Sequence, residues 1–87
     1  MIEREVTIMN RTGLHTRPAA TLVKTASKFK SEFLIYKDGM EINGKSIIGV
    51  MTLAAEQGSK LLLRFQGEDE VEAAIAVIQL FESGFDE

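Results

Sequence analysis

The chain has 87 residues, enough for one small domain and too few for a second core. Thirteen acidic residues against ten basic ones give a net charge of -3, so no basic balance argues for nucleic acid. A hydrophobic content of 45% with a single proline belongs to a folded chain rather than a disordered one. The lack of cysteine excludes disulfides and thiolate metal sites, and one histidine excludes a multi-histidine metal site. Apolar runs such as Leu61–Leu63 are far too short to span a bilayer. Met1 to Glu5 carries no apolar stretch of signal-peptide type. The expectation is one soluble cytoplasmic domain over 1–87, with no membrane insertion, no metal and no cofactor.

Ile2 to Met9 alternates, with Ile2, Val6 and Ile8 on one face and Glu3, Glu5 and Thr7 on the other, which predicts a half-buried first strand. Asn10 to Gly13 is a turn-rich loop. A helix follows, because Ala19, Ala20, Leu22, Val23, Ala26 and Phe29 keep a 3.6-residue period, with Thr16 as its N-cap and Pro18 in its first turn. Glu32–Lys37 and Met40–Asn43 are short strands joined by Asp38-Gly39, a pair that suits a type I′ hairpin. Ser46 opens a short second helix with Ile47, Val50, Met51 and Ala54 on one side. Lys60–Gln66 alternates as a fourth strand. A last helix spans about 69–83, with Val71, Ala74, Ile75, Ile78 and Phe81 as its buried stripe and Gly84 as its stop. The order is βαββαβα, an α+β chain with helices on one face of an antiparallel sheet. It fits either a ferredoxin-like split βαβ with an extra helix or an open-faced β-sandwich, and pattern alone does not choose.

The one unusual polar cluster is Thr12-Gly13-Leu14-His15-Thr16-Arg17-Pro18, at a predicted helix start. Free N–H groups and the helix dipole make such a start hospitable to an anion. Arg17 adds a planar donor fork two residues from His15. An imidazole accepting a phosphoryl group there has donors at hand, with Thr12 and Thr16 as supporting hydroxyls. Without further context, an idle exposed histidine is the commoner meaning of such a residue. Nothing in the chain resembles a nucleophile elbow, so a Ser-His-Asp hydrolase is disfavoured.

The run Thr12 to Ala20 closely resembles the phosphohistidine signature of the HPr family, the histidine-containing phosphocarriers of the bacterial phosphoenolpyruvate-dependent sugar phosphotransferase system. A second block, Gly44-Lys45-Ser46-Ile47-Ile48-Gly49-Val50-Met51-Thr52-Leu53, is similar to the family's serine-site motif, and the spacing, length and element order agree. The resemblance implies the open-faced β-sandwich, with a four-stranded antiparallel sheet and three helices on one face. It implies that enzyme I phosphorylates His15 on Nδ1, that Arg17 stabilises the phosphoryl group, and that enzyme IIA domains receive it. The protein is then a carrier with a phosphohistidine intermediate rather than an enzyme in the usual sense.

Ser46 is predicted to cap the second helix and, by the resemblance, to be a regulatory site for HPr kinase/phosphorylase whose phospho-form binds a carbon catabolite regulator. The resemblance also implies an exposed docking face of Ile47, Ile48 and Met51, extended by Arg17, Ala20 and Lys24. Gly49 is expected to permit close approach by a partner or by the neighbouring helix. A carrier that shows one face to successive partners is expected to be a monomer. Two features depart from the commonest pattern. Thr16 stands where many relatives have alanine, and Leu80 to Glu87 resembles the ending of the nitrogen-branch NPr proteins. The alternatives are thus an NPr-type phosphocarrier, a mainly regulatory protein acting through phospho-Ser46, and, ranked lowest, a small-molecule-binding regulatory domain.

Overall fold

Four stretches of alternating side chains pair into one antiparallel sheet. The computed structural model describes residues 1–87. Its elements are β1 (Ile2–Thr7), α1 (Thr16–Ala26), β2 (Glu32–Lys37), β3 (Met40–Asn43), α2 (Ile47–Thr52), β4 (Lys60–Gln66) and α3 (Glu70–Glu82), followed by a 3-10 turn at Gly84–Asp86. The strand order is β1-β4-β2-β3. β1 thus lies at one edge, which is the open-faced plan; in a split βαβ the first strand is an inner one.

The register builds one apolar face. Val6 sits opposite Leu61, Phe33 opposite Phe65, Ile35 opposite both Leu63 and Ile42, and the two phenylalanine rings stack with centroids 4.8 Å apart. Burial of each such large side chain contributes about 1.5–3 kcal/mol. The other face is open and mixed, with Leu34 and Leu62 among polar and charged residues. There Arg64 pairs with Glu3 across the strands at 2.9 Å and lies over the Tyr36 ring, 5.2 Å from its centroid. In the β2–β3 turn, Asp38 (φ 49) and Gly39 (φ 82) both take the left-handed region, as a type I′ hairpin requires.

α1 buries Pro18, Ala19, Leu22 and Ala26, while Val23 and Phe29 are half-buried and Ala20 lies exposed. The expected stripe of α3 is corrected. Its buried residues are Ala73, Ala74, Val77 and Phe81, whereas Val71 (54%) and Ile75 (63%) are exposed. This helix is apolar around most of its circumference, so periodicity does not single out the packed side. The small Ala73 and Ala74 allow close approach to α1, β1 and β4, which α3 contacts. In α2 only Val50 is buried; Leu53 and Ala55 continue the core just beyond it, and Ala54 is exposed with φ 48. Within the protein, the close neighbour of Gly49 is the end of β3 rather than a helix: a Cβ there would press on Asn43 O at 3.3 Å. No helix is long and apolar enough to cross a membrane.

Candidate functional site

The loop from β1 to α1 is pinned from beneath. Ile8 N–H donates to Ser59 O at 2.9 Å, Gly58 N–H donates to Ile8 O at 2.8 Å, and Leu14 N–H donates to Ala55 O at 2.9 Å. Gly13 has φ 70, and any Cβ there would collide with the Ala55 carbonyl oxygen. A residue with a side chain therefore fails at this position twice, by conformation and by space. With Leu14 buried, the chain emerges at His15 in a defined direction.

His15, rather than Thr16, is the N-cap of α1. Its backbone is extended (φ -78, ψ -170), and its carbonyl accepts the first intrahelical bond, from Ala19 N–H at 3.0 Å. Its ring makes no capping bond and is 43% exposed. Thr16 is the first helical residue, Arg17 the second and Pro18 the third, so the proline lacks only an N–H with no intrahelical partner. The N–H groups of Thr16 and Arg17 make no hydrogen bond within the protein. The Arg17 side chain is exposed and pairs with no carboxylate. These groups give the start of α1 outward-facing donors and positive potential.

His15 and Arg17 line one shallow depression of about 540 Å³ with Thr12, Pro18 and Thr21. Its far wall is Phe85, Asp86 and Glu87, which the sequence pattern did not bring forward. Thr16 is exposed but lies outside this wall. The Thr12 hydroxyl is directed at Glu87, donating to Oε1 at 2.8 Å, while Thr21 Oγ1 donates back to Arg17 O at 3.2 Å. Glu87 Oε2 lies 3.2 Å from His15 Nε2. The only hint of this wall in the sequence was Gly84, read as a helix stop; nothing in the spacing of Phe85 to Glu87 points back across the chain to His15.

Ser46 caps α2. Its Oγ accepts from Gly49 N–H at 3.1 Å, its backbone is extended, and the residue is half-buried. Beside it, Lys45 Nζ is drawn inward to donate to Phe29 O at 2.7 Å. Ile47, Ile48 and Met51 are exposed, Ile48 to 76%. Ala20 and Lys24 are exposed on α1, the helix against which α2 packs. The structure thus places the expected docking residues at the surface of two adjoining helices.

With this geometry in hand, the relatives are informative. The model of the PTS HPr component phosphorylation site matches residues 2–83. The phosphocarrier protein HPr of Xylella fastidiosa is 49% identical over 87 residues, covering all of this chain and 98% of that one. The crystal structure of HPr from Thermoanaerobacter tengcongensis superposes with a TM-score of 0.97 at 48% identity, covering 100% of this chain and 98% of that one. Crh of Bacillus subtilis, described as a domain-swapped dimer, superposes at 0.77 with 39% identity over 97% of each chain. Motif, fold and relatives converge on one assignment, and the chain belongs to the HPr family of phosphocarriers of the phosphotransferase system.

Proposed function

We propose that the chain takes a phosphoryl group from phospho-enzyme I onto His15 and passes it to enzyme IIA domains in sugar uptake. The observation that carries this reading is the meeting of His15, the unpaired Arg17 and two free N–H groups at one helix start. A ring nitrogen lone pair attacks phosphorus. The N–P bond forms as the donor's bond to phosphorus breaks, and the donor keeps that electron pair. Arg17 and the Thr16 and Arg17 N–H groups face the phosphoryl oxygens, each charge-assisted bond contributing about 1.5–3 kcal/mol. The site is open and shallow, which suits a group that must leave again, because strong ground-state binding slows onward transfer. Ile47, Ile48 and Met51, with Ala20 and Lys24 at the margin, form the docking face, and the protein works as a cytoplasmic monomer.

The test incubates purified protein with enzyme I and phosphoenolpyruvate and reads intact mass before and after mild acid. One acid-labile phosphoryl group, absent in His15→Ala, is the expected result. No gain of mass with an enzyme I that is active on another carrier sinks this reading.

Ser46 is the regulatory site in this proposal, a substrate of HPr kinase/phosphorylase. Its hydroxyl sits half-buried at the start of α2, next to the exposed Ile47 and Ile48. A phosphate would add up to about two negative charges there and oppose an acidic partner, while offering a surface to a carbon catabolite regulator. An ATP-dependent kinase assay on the wild type and Ser46→Ala checks it. Phosphorylation of both proteins alike removes Ser46 from the proposal.

A further inference from the structure

Glu87 meets the His15 ring from 72 positions away in sequence. Its carboxylate is held on several sides. Oε1 accepts from Thr12 Oγ1 at 2.8 Å and from Asn10 Nδ2 at 3.2 Å, while Oε2 faces His15 Nε2 at 3.2 Å. Asn10 is only 5% exposed, and its Nδ2 also donates to Gly13 O at 2.7 Å, so the amide is oriented by two acceptors. The route to this position is unusual. Gly84 (φ 62), Phe85 (φ 57) and Asp86 (φ 59) follow one another in the left-handed region, where a residue with a side chain costs roughly 1–2 kcal/mol. Two backbone bonds, Asp86 N–H to Ser83 O and Glu87 N–H to Gly84 O, each at 3.1 Å, close this turn.

An ionised carboxylate only accepts, so the ring nitrogen that faces it carries the proton. Nε2–H then points at Glu87 and leaves the lone pair on Nδ1, which makes no hydrogen bond within the protein. We propose that Glu87 is a positioning residue that holds the His15 ring as the Nε2–H tautomer and presents Nδ1 to the incoming phosphoryl group. This rests on His15 being the phosphoryl acceptor. The Thr12 hydroxyl above all, against some desolvation and together with Asn10 and His15, holds the Glu87 carboxyl below the usual carboxylate range, so it is ionised at neutral pH.

The step balances without a proton leaving the ring. The Nδ1 lone pair forms the N–P bond, the donor departs with the electrons of its own bond to phosphorus, and Nε2 keeps its hydrogen. The ring acquires a positive charge shared by both nitrogens, and the carboxylate already stands against the Nε2 end of it. Arg17 serves the opposite end, where the phosphoryl oxygens arrive. Onward transfer reverses the bonds and restores the neutral Nε2–H ring.

The test compares wild type, Glu87→Gln and Glu87→Ala in two measurements. The first is the ring nitrogen chemical shifts of His15 at about pH 9, well above the ordinary imidazole range. The second is the rate of phosphorylation by enzyme I, with the acid-labile mass read as before. Wild type is expected to show Nε2–H predominantly. Glu87→Ala shifts the tautomer ratio toward Nδ1–H and slows phosphorylation about tenfold, the scale of one lost charge-assisted hydrogen bond. Glu87→Gln keeps an acceptor oxygen, so it retains the tautomer and loses rate only in part. Unchanged shifts and an unchanged rate in Glu87→Ala, with His15 still phosphorylated, overturn the role of Glu87 and leave the carrier reading intact. No acid-labile phosphoryl group on any of the three proteins overturns both.

Discussion

Phe85 lies edge-on against Phe81, with ring centroids 5.1 Å apart and planes inclined by 72°. Phe81 belongs to the core, whereas Phe85 stands at the rim of the His15 depression, so this pair couples the packed end of α3 to the wall of the site. Edge-to-face contacts of this kind contribute beyond the apolar area they bury.

Phe85→Ala is therefore expected to cost about 1–2 kcal/mol, less than the roughly 3–5 kcal/mol for emptying the buried Phe81 position. The amides of Asp86 and Glu87, bonded to Ser83 O and Gly84 O, should exchange faster with solvent while those of β4 do not. Equal exchange in the two proteins would show that Phe85 does not hold this segment.

Ser46→Ala removes the hydroxyl that accepts from Gly49 N–H. Loss of an N-cap costs about 1 kcal/mol, and aspartate caps about as well as serine. Ser46→Asp should thus keep the denaturation midpoint near wild type while Ser46→Ala lowers it. The added charge in Ser46→Asp is expected to raise the KM for phosphorylation by enzyme I, an effect Ser46→Ala does not share. A Ser46→Asp protein that is less stable than Ser46→Ala would contradict the capping role.

The parts of the molecule that were legible in the sequence are those where one short-range rule acts alone. The alternation of Leu61, Leu63 and Phe65 marks β4, Asp38-Gly39 marks the hairpin, and Ser46 followed by an apolar run marks the start of α2. Strand order was not legible, because βαββαβα fits two sheets that differ only in long-range pairing, and the family motifs rather than periodicity favoured the open-faced one. In α3 the period was right and the face only partly so: Ala74 and Phe81 pack as expected and Ile78 is half-buried, but Val71 and Ile75 are as apolar as the buried Val77, and only tertiary contact selects the side that packs. The His15 side of the depression lies in one motif and could be read. The Phe85 to Glu87 side could not, since it depends on three successive left-handed residues that no local rule anticipates in Phe and Asp.

Asp69 predicts a pH dependence of stability. Its carboxylate accepts the N–H groups of Lys30 and Ser31, each at 2.9 Å, and the Ser31 hydroxyl, joining the start of α3 to the loop before β2. The Ser31 hydroxyl first, then the Lys30 N–H, hold this carboxyl below its ordinary value. A depressed folded-state value means the stabilisation is present in full above the unfolded-state value of about 3.9 and is lost as pH falls through the folded-state value. Thermal midpoints of wild type and Asp69→Asn should therefore differ most near neutral pH and converge in acid. A gap that widens on acidification would reverse the sign and refute the linkage.

Ile48 and Val50 are two positions apart on α2 and should separate docking from folding. Ile48 is 76% exposed, while Val50 is fully buried beneath the same helix. Ile48→Glu removes little packing, so its unfolding free energy should stay within about 0.5 kcal/mol of wild type. If the exposed apolar set is where partners dock, a charge in its centre raises the KM for phosphorylation by enzyme I without altering how His15 reacts once bound. Val50→Ala makes the opposite change. It leaves the surface alone and opens a small cavity, with an expected cost of about 2 kcal/mol and phosphotransfer kinetics unchanged below the melting range. Denaturant unfolding and steady-state phosphorylation, both run on both variants, give a two-by-two outcome. An Ile48→Glu protein with wild-type KM would move the docking face off α2, whatever Val50→Ala does to stability.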